Sequence, residues 1–184
     1  MLVSTFELIV KPQLPRDIPG LGAVSRTVIQ GYFLTIANTD NHDVVVSLVF
    51  TSVTPTVDID KTFTFLDVTG VNIPGDLRPD TVAGKARFTI PIPANDTVLF
   101  ILQPDILRNN GELLNTTDFE VRGYVDISVS SLSNAPSVTL LVTPEQRGTF
   151  FKDLNAADPQ LDQIAYGIPT ATGGSLFNLT TVPL

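Results

Sequence analysis

The chain has a single histidine, His42, and it lies in the turn-like run Asp40-Asn41-His42-Asp43. A Ser–His–Asp hydrolase requires such a residue as its general base. No Gly-x-Ser-x-Gly turn is present to supply the matching nucleophile. A histidine among Asp and Asn therefore reads as a turn residue. Structural zinc asks for four good ligands. Cysteine is absent, which removes thiolate ligands, Cys nucleophiles, iron–sulfur clusters and disulfides together. Asp40 and Asp43 offer oxygens of the kind calcium takes, and Asp58 and Asp60 form a second pair. Calcium needs six or more oxygens converging from several loops, and the spacing of an EF-hand is missing. These four acids are candidate metal ligands only in residue type, and the simpler reading is turn chemistry.

Glycoside hydrolysis needs two carboxylates facing each other across a cleft. Asp118, Glu120 and Asp126 fall in or beside one segment, where an ordinary solvated strand face accounts for them. Sugar-binding platforms are scarce too, with no Trp and three Tyr. A recognition patch is a better use of the remaining chemistry. Tyr and Arg dominate binding hot spots, and Tyr32, Arg122 and Tyr124 are candidate ligand- or partner-binding residues. Cross-strand pairing is the plainer role for the same three. Asn-x-Thr triplets at Asn95, Asn115 and Asn178 match a glycosylation acceptor. They arise readily by chance in a Thr-rich chain.

The elements that would hold these residues read as strands. Gly31–Asn38 and Asp43–Phe50 are rich in β-branched and aromatic residues and flank a short polar link, the pattern of a β-hairpin. Residues 3–10, 24–37, 43–54, 62–68, 86–92, 97–103, 119–130 and 137–143 are predicted strands. Alternation is clearest from Phe119 to Val129, where Val121, Val125 and Ile127 share one face. The segment 137–143 is expected to pair back on 119–130. Pro and Gly mark 11–22 and 69–79 as connections, and 104–117 as a polar link with room for a helical turn. The fold class is all-β: an antiparallel β-sandwich, Ig-like or jelly-roll-like, with a short C-terminal helix and an extended tail. The helix is placed at 155–165, with Asn155 as its N-cap. Residues 1–150 are the sandwich domain. Residues 151–184 are an extension that packs on the sandwich or, as the favoured alternative, on a neighbouring subunit. Leu176, Phe177, Leu179 and Val182 are too apolar to remain in water.

The net charge of −8 and the scattered Lys and Arg oppose nucleic-acid binding, which needs clustered cations to displace counterions. No run approaches the ~18 apolar residues of a membrane-spanning helix, so no membrane insertion is expected. The N-terminus lacks a basic leader and reads as a first strand, which makes a cytoplasmic location the default. Charged residues are 16% of the chain against a usual ~25%. That composition points to more buried surface than a monomer's core, hence to a homo-oligomer.

The segment Phe33 to about Ser131 resembles the small β-sandwich of the sensory rhodopsin transducer family. Ala37-Asn38 with the acidic turn after it, Val44-Val45-Val46-Ser47-Leu48, Ile90-Pro91-Ile92-Pro93-Ala94-Asn95-Asp96-Thr97 and Thr117-Asp118-Phe119 carry the likeness. It spans about half the chain. It implies a non-enzymatic, oligomeric module that binds protein or a small ligand, and it implies no rhodopsin partner. The expected function is therefore a non-enzymatic binding module without a cofactor. The alternative is a structural component of a larger assembly, such as a viral or phage shell, tail or decoration protein.

Overall fold

The computed structural model describes residues 1–107, 111–115, 118–154 and 156–181. Twelve strands form one antiparallel sheet that curls on itself. They are β1 (Leu2–Pro12), β2 (Thr27–Asn38), β3 (Val44–Thr51), β4 (Thr62–Asp67), β5 (Asn72–Pro74), β6 (Arg78–Pro79), β7 (Lys85–Ile92), β8 (Thr97–Pro104), β9 (Phe119–Val129), β10 (Ser137–Phe151), β11 (Leu161–Gly167) and β12 (Leu176–Thr180). A 3-10 turn at Ile59–Lys61 and a one-turn helix α1 at Glu112–Asn115 are the helical pieces among the described residues. The all-β sandwich expected from the sequence is the fold observed.

One layer runs β5-β4-β8-β2-β10, with β11 and β12 end to end on the outer edge of β10. The other runs β1-β9-β3-β7-β6. The layers part along β2. Its first residues pair with Ile9–Pro12 of β1, and Tyr32–Ala37 then pair with β8. Gly31 stands at the change of neighbour. A Cβ there would lie 2.6 Å from Gln103 Cγ and 2.9 Å from the Leu102 carbonyl, so only glycine lets β8 close in. Where β1 peels away, its Glu7 main chain loses β2 as a partner. Buried Gln146 takes over: its amide donates to the carbonyls of Glu7 (3.1 Å) and Gly31 (2.7 Å) and accepts from Glu7 N–H (2.8 Å). A buried main-chain group left unpaired would cost about 1–3 kcal/mol.

Between the layers lies the core. Phe6, Tyr32, Phe50, Phe88 and Phe100 meet at ring separations of 4.9–6.2 Å, edge-on, tilted or stacked. Phe88, Ile90, Val121, Val125 and Ile127 are all buried, as their alternation predicts.

Three expectations change. The 31–38 and 43–50 segments are not a hairpin. β2 pairs with β1, β8 and β10, while β3 pairs with β7 and β9, so residues 39–42 arch from one layer to the other. β10 likewise does not return to β9; it crosses to β2. The C-terminal helix is absent: Leu161–Gly167 is a strand on β10. Its supposed N-cap, Asn155, lies outside the described residues, as does Val182. The tail docks on its own sandwich, where β12 places Phe177 and Leu179 in the core.

Candidate functional site

The acidic turn around His42 is a structural tie. Asn38, buried at the end of β2, is its hub. Its Nδ2 donates to the carbonyls of His42 (2.8 Å), Pro93 (3.0 Å) and Ile92 (3.4 Å), and its Oδ1 accepts from Asp40 N–H (3.1 Å). Asp40 Oδ2 accepts from Thr139 N–H at 2.9 Å, and Asp43 Oδ1 from Ala94 N–H at 2.9 Å. His42 Nε2 donates to the Ser137 carbonyl at 3.2 Å. Three interlayer connections are thereby laced together at one end of the sandwich. Short polar side chains are used because they reach main-chain groups that an arch leaves without ladder partners.

Asp58 caps the 3-10 turn, accepting from Asp60 N–H at 3.1 Å, and faces Lys61 at 3.5 Å. Asp58 and Asp60 border a cavity of about 870 Å³ at the opposite side from Asn38, together with Asp80, Lys85, Asp118 and Glu120. Asp80 is held below the usual carboxylate range by the Val82 N–H. Partial desolvation opposes this, and the Arg87 guanidinium and Thr81 hydroxyl add to it. Glu120 is bound to Lys11 and Arg122. Among the described residues no three His, Asp or Glu groups converge as a metal site would require.

The candidate patch of Tyr32, Arg122 and Tyr124 divides. Tyr32 is wholly buried, its hydroxyl paired with Ser4 Oγ at 3.0 Å, and burial pushes the phenol well above its usual range. It is a core residue because β2 turns the Tyr32, Leu34 and Ile36 row inward. Arg122 and Tyr124 do share the outer face of β9. Arg122 is engaged by Glu7 and Glu120, and Tyr124 is half-open to solvent. The face around them is polar.

Two surfaces of a different kind lie on the other layer. Register puts Phe33, Ile101 and Phe65 in one row across β2, β8 and β4, with Leu99 and Phe63 beside it. All point away from the interlayer core, where Phe33 and Ile101 are nonetheless buried and Leu99, Phe63 and Phe65 are half-buried. Phe63 and Phe65 meet edge-on at 5.2 Å, and the Arg147 guanidinium lies 4.3 Å over the Phe33 ring. A groove of about 440 Å³ continues from Phe33 past Arg147 to Gln163 and Ala165 of β11. β11 itself is the second surface. All seven of its residues are exposed, and Leu161, Ile164 and Tyr166 keep 44–48% of their surface in solvent. The sequence marked Phe63 and Phe65 as one face, but no local signal says that this face is outward. Comparison with protein-family models, with curated proteins and with solved structures finds no match to this chain.

Proposed function

We propose that the chain is a non-enzymatic β-sandwich interaction module that works as a homo-oligomer. The observation that carries this reading is β11, a strand of seven residues with both faces in solvent and three large apolar side chains on display. Strands of that kind are templates for pairing with another chain. Chemistry of an enzymatic type has little to build on: the lone histidine and the acids Asp40, Asp43 and Asp58 are spent on holding turns. The resemblance of residues 33–131 to the sensory rhodopsin transducer sandwich agrees with an oligomeric binding module. A protein or small ligand would then be taken on Arg122, Tyr124 or the aromatic outer face.

A second reading, a structural component of a larger assembly, is favoured by that aromatic face. Phe63, Phe65 and Leu99, half-buried beside the buried Phe33 and Ile101, would supply a second contact surface on a different part of the molecule from the outward main chain of β11. Two distinct contact surfaces allow open-ended growth, whereas one self-complementary surface closes a dimer. Light scattering over a hundredfold range of concentration tests both. A discrete oligomer supports the module. Mass that climbs with concentration supports the assembly component. A monomer throughout the range refutes both.

A further inference from the structure

We infer that two copies of the chain join through β11, antiparallel, about a twofold axis that passes beside Ile164. This rests on the homo-oligomer reading above and specifies its interface.

Several open edges of the sheet are guarded. β5 is three residues long and ends in Pro74; β6 is two residues long and ends in Pro79; β7 carries Pro91. Short length and proline are the usual protection of an open edge. β11 has neither proline nor lysine within its seven residues. Charge does not guard it either. The chain carries −8, yet beside this edge Arg26 pairs with Asp162 and Arg147 with Glu145. The rim is electrically balanced and can meet its own copy.

The hydrogen-bond phase restricts the register, and full overlap of the seven residues centres it on Ile164. Lys152 N–H donates to the Gln160 carbonyl at 3.0 Å, and Ile168 N–H to the Pro144 carbonyl at 2.9 Å. In an antiparallel ladder, hydrogen-bonded and non-hydrogen-bonded pairs alternate. Asp162, Ile164 and Tyr166 therefore spend their main-chain groups on β10. Leu161, Gln163, Ala165 and Gly167 aim theirs outward. A twofold at Ile164 sets Leu161 against Gly167 of the partner subunit and Gln163 against Ala165 of the partner subunit. Every outward N–H and C=O then finds its complement. At the intervening positions, Ile164 meets Ile164 of the partner subunit, while Asp162 stays paired with Arg26 and Tyr166 with Gln30 of their own chain. Shifting the register by one residue would set inward-aimed groups against outward-aimed ones.

The absence of native cysteine makes the register readable. A non-hydrogen-bonded antiparallel pair has Cα atoms about 4.5 Å apart, within the span of about 4.4–6.8 Å that a disulfide bridges. Ile164→Cys should therefore cross-link to a dimer under mild oxidation. Gln163→Cys should not, because the two copies of residue 163 lie diagonally, roughly 8 Å apart. Gln163→Pro removes only an outward N–H. It should keep the far-ultraviolet strand spectrum and a cooperative melt, reduce the mass to that of a monomer, and abolish cross-linking when combined with Ile164→Cys. If the wild type is an oligomer but Ile164→Cys fails to cross-link and Gln163→Pro keeps the wild-type mass, the β11 interface is wrong and the homo-oligomer reading stands. A wild type that is monomeric at every concentration, with no cross-link, overturns both.

Discussion

Replacing Asn38 with alanine should unlace one end of the sandwich. The side chain is buried and makes three good hydrogen bonds, to His42, Pro93 and Asp40, plus a longer one to Ile92. Each ordinary bond contributes about 1 kcal/mol net, and carbonyls left buried without a donor add to the loss, so Asn38→Ala should cost about 3–4 kcal/mol. For a chain of this size that lowers the melting temperature by roughly 6–15 °C. Urea unfolding followed by circular dichroism gives the free energy directly, with an unchanged slope if both states keep their compactness. Asn38→Asp isolates the donor role. The new carboxylate would sit among three carbonyls, so its folded pKa must rise above the unfolded value of about 3.9. Such a group favours folding only when protonated. The variant should approach wild-type stability near pH 3.5 and fall progressively behind it as pH rises through the raised pKa. A loss below 1 kcal/mol for Asn38→Ala would refute the lacing argument. So would an Asn38→Asp deficit that does not grow with pH.

Val125→Asp should prevent folding or cost several kcal/mol, because the side chain is fully buried with no cation to receive a carboxylate; a soluble variant with an unchanged melting temperature would contradict the inward assignment of β9. Truncation after Tyr166 should unfold the domain rather than merely lower its mass in solution. It deletes β12 and with it Phe177 and Leu179, each contributing about 1.5–3 kcal/mol by burial. Retention of the far-ultraviolet strand spectrum at the wild-type melting temperature would show that β12 is dispensable. Asp80 has a depressed folded pKa, so its contribution is present above the unfolded value and is lost as pH falls through the folded one. Asp80→Asn should thus be less stable than wild type at pH 7, with the gap closing below about pH 3.9; a gap independent of pH would assign Asp80 a purely steric role.

Strand positions were legible because burial on one face enforces a period of two. The row Val121, Val125, Ile127 could not be read otherwise. β11 was misread for the opposite reason. Neither of its faces is buried, so nothing enforces alternation, and Leu161, Ile164 and Ala165 fall by chance at helical spacing. β10 was cut short at Pro144, yet the strand passes through it. Pro144 lacks its N–H on the side facing the gap between β11 and β12, so no bond to β2 is lost, and its carbonyl still accepts from Ile168.

Strand pairing was hidden by the turns themselves. Thr39-Asp40-Asn41-His42 has the composition of a hairpin turn, and the same polar side chains serve an arch equally well by bonding main-chain groups across layers. The backbone conformation separates the two. A tight hairpin turn needs residues at positive φ, hence glycine or asparagine in set places. Residues 39–42 include Asn41, so their composition permits such a turn, yet none of them adopts a positive φ, whereas Asn95 does at 55°. Facing was ambiguous wherever a run is apolar on both sides. Tyr32-Phe33-Leu34 offers no parity, and the structure puts Tyr32 in the interlayer core and Phe33, also buried, on the opposite face of its sheet. In β4 the inversion is complete: Thr62 and Thr64 are buried, while Phe63 and Phe65 look out. Aromatic residues placed outward at the expense of threonine inward oppose the hydrophobic preference for burial. Phe63 and Phe65 are half-buried in a single copy, so a partner on this face would cover only what remains of them. The same physics that concealed this face from a reading of alternation is what supports it as the contact surface proposed above.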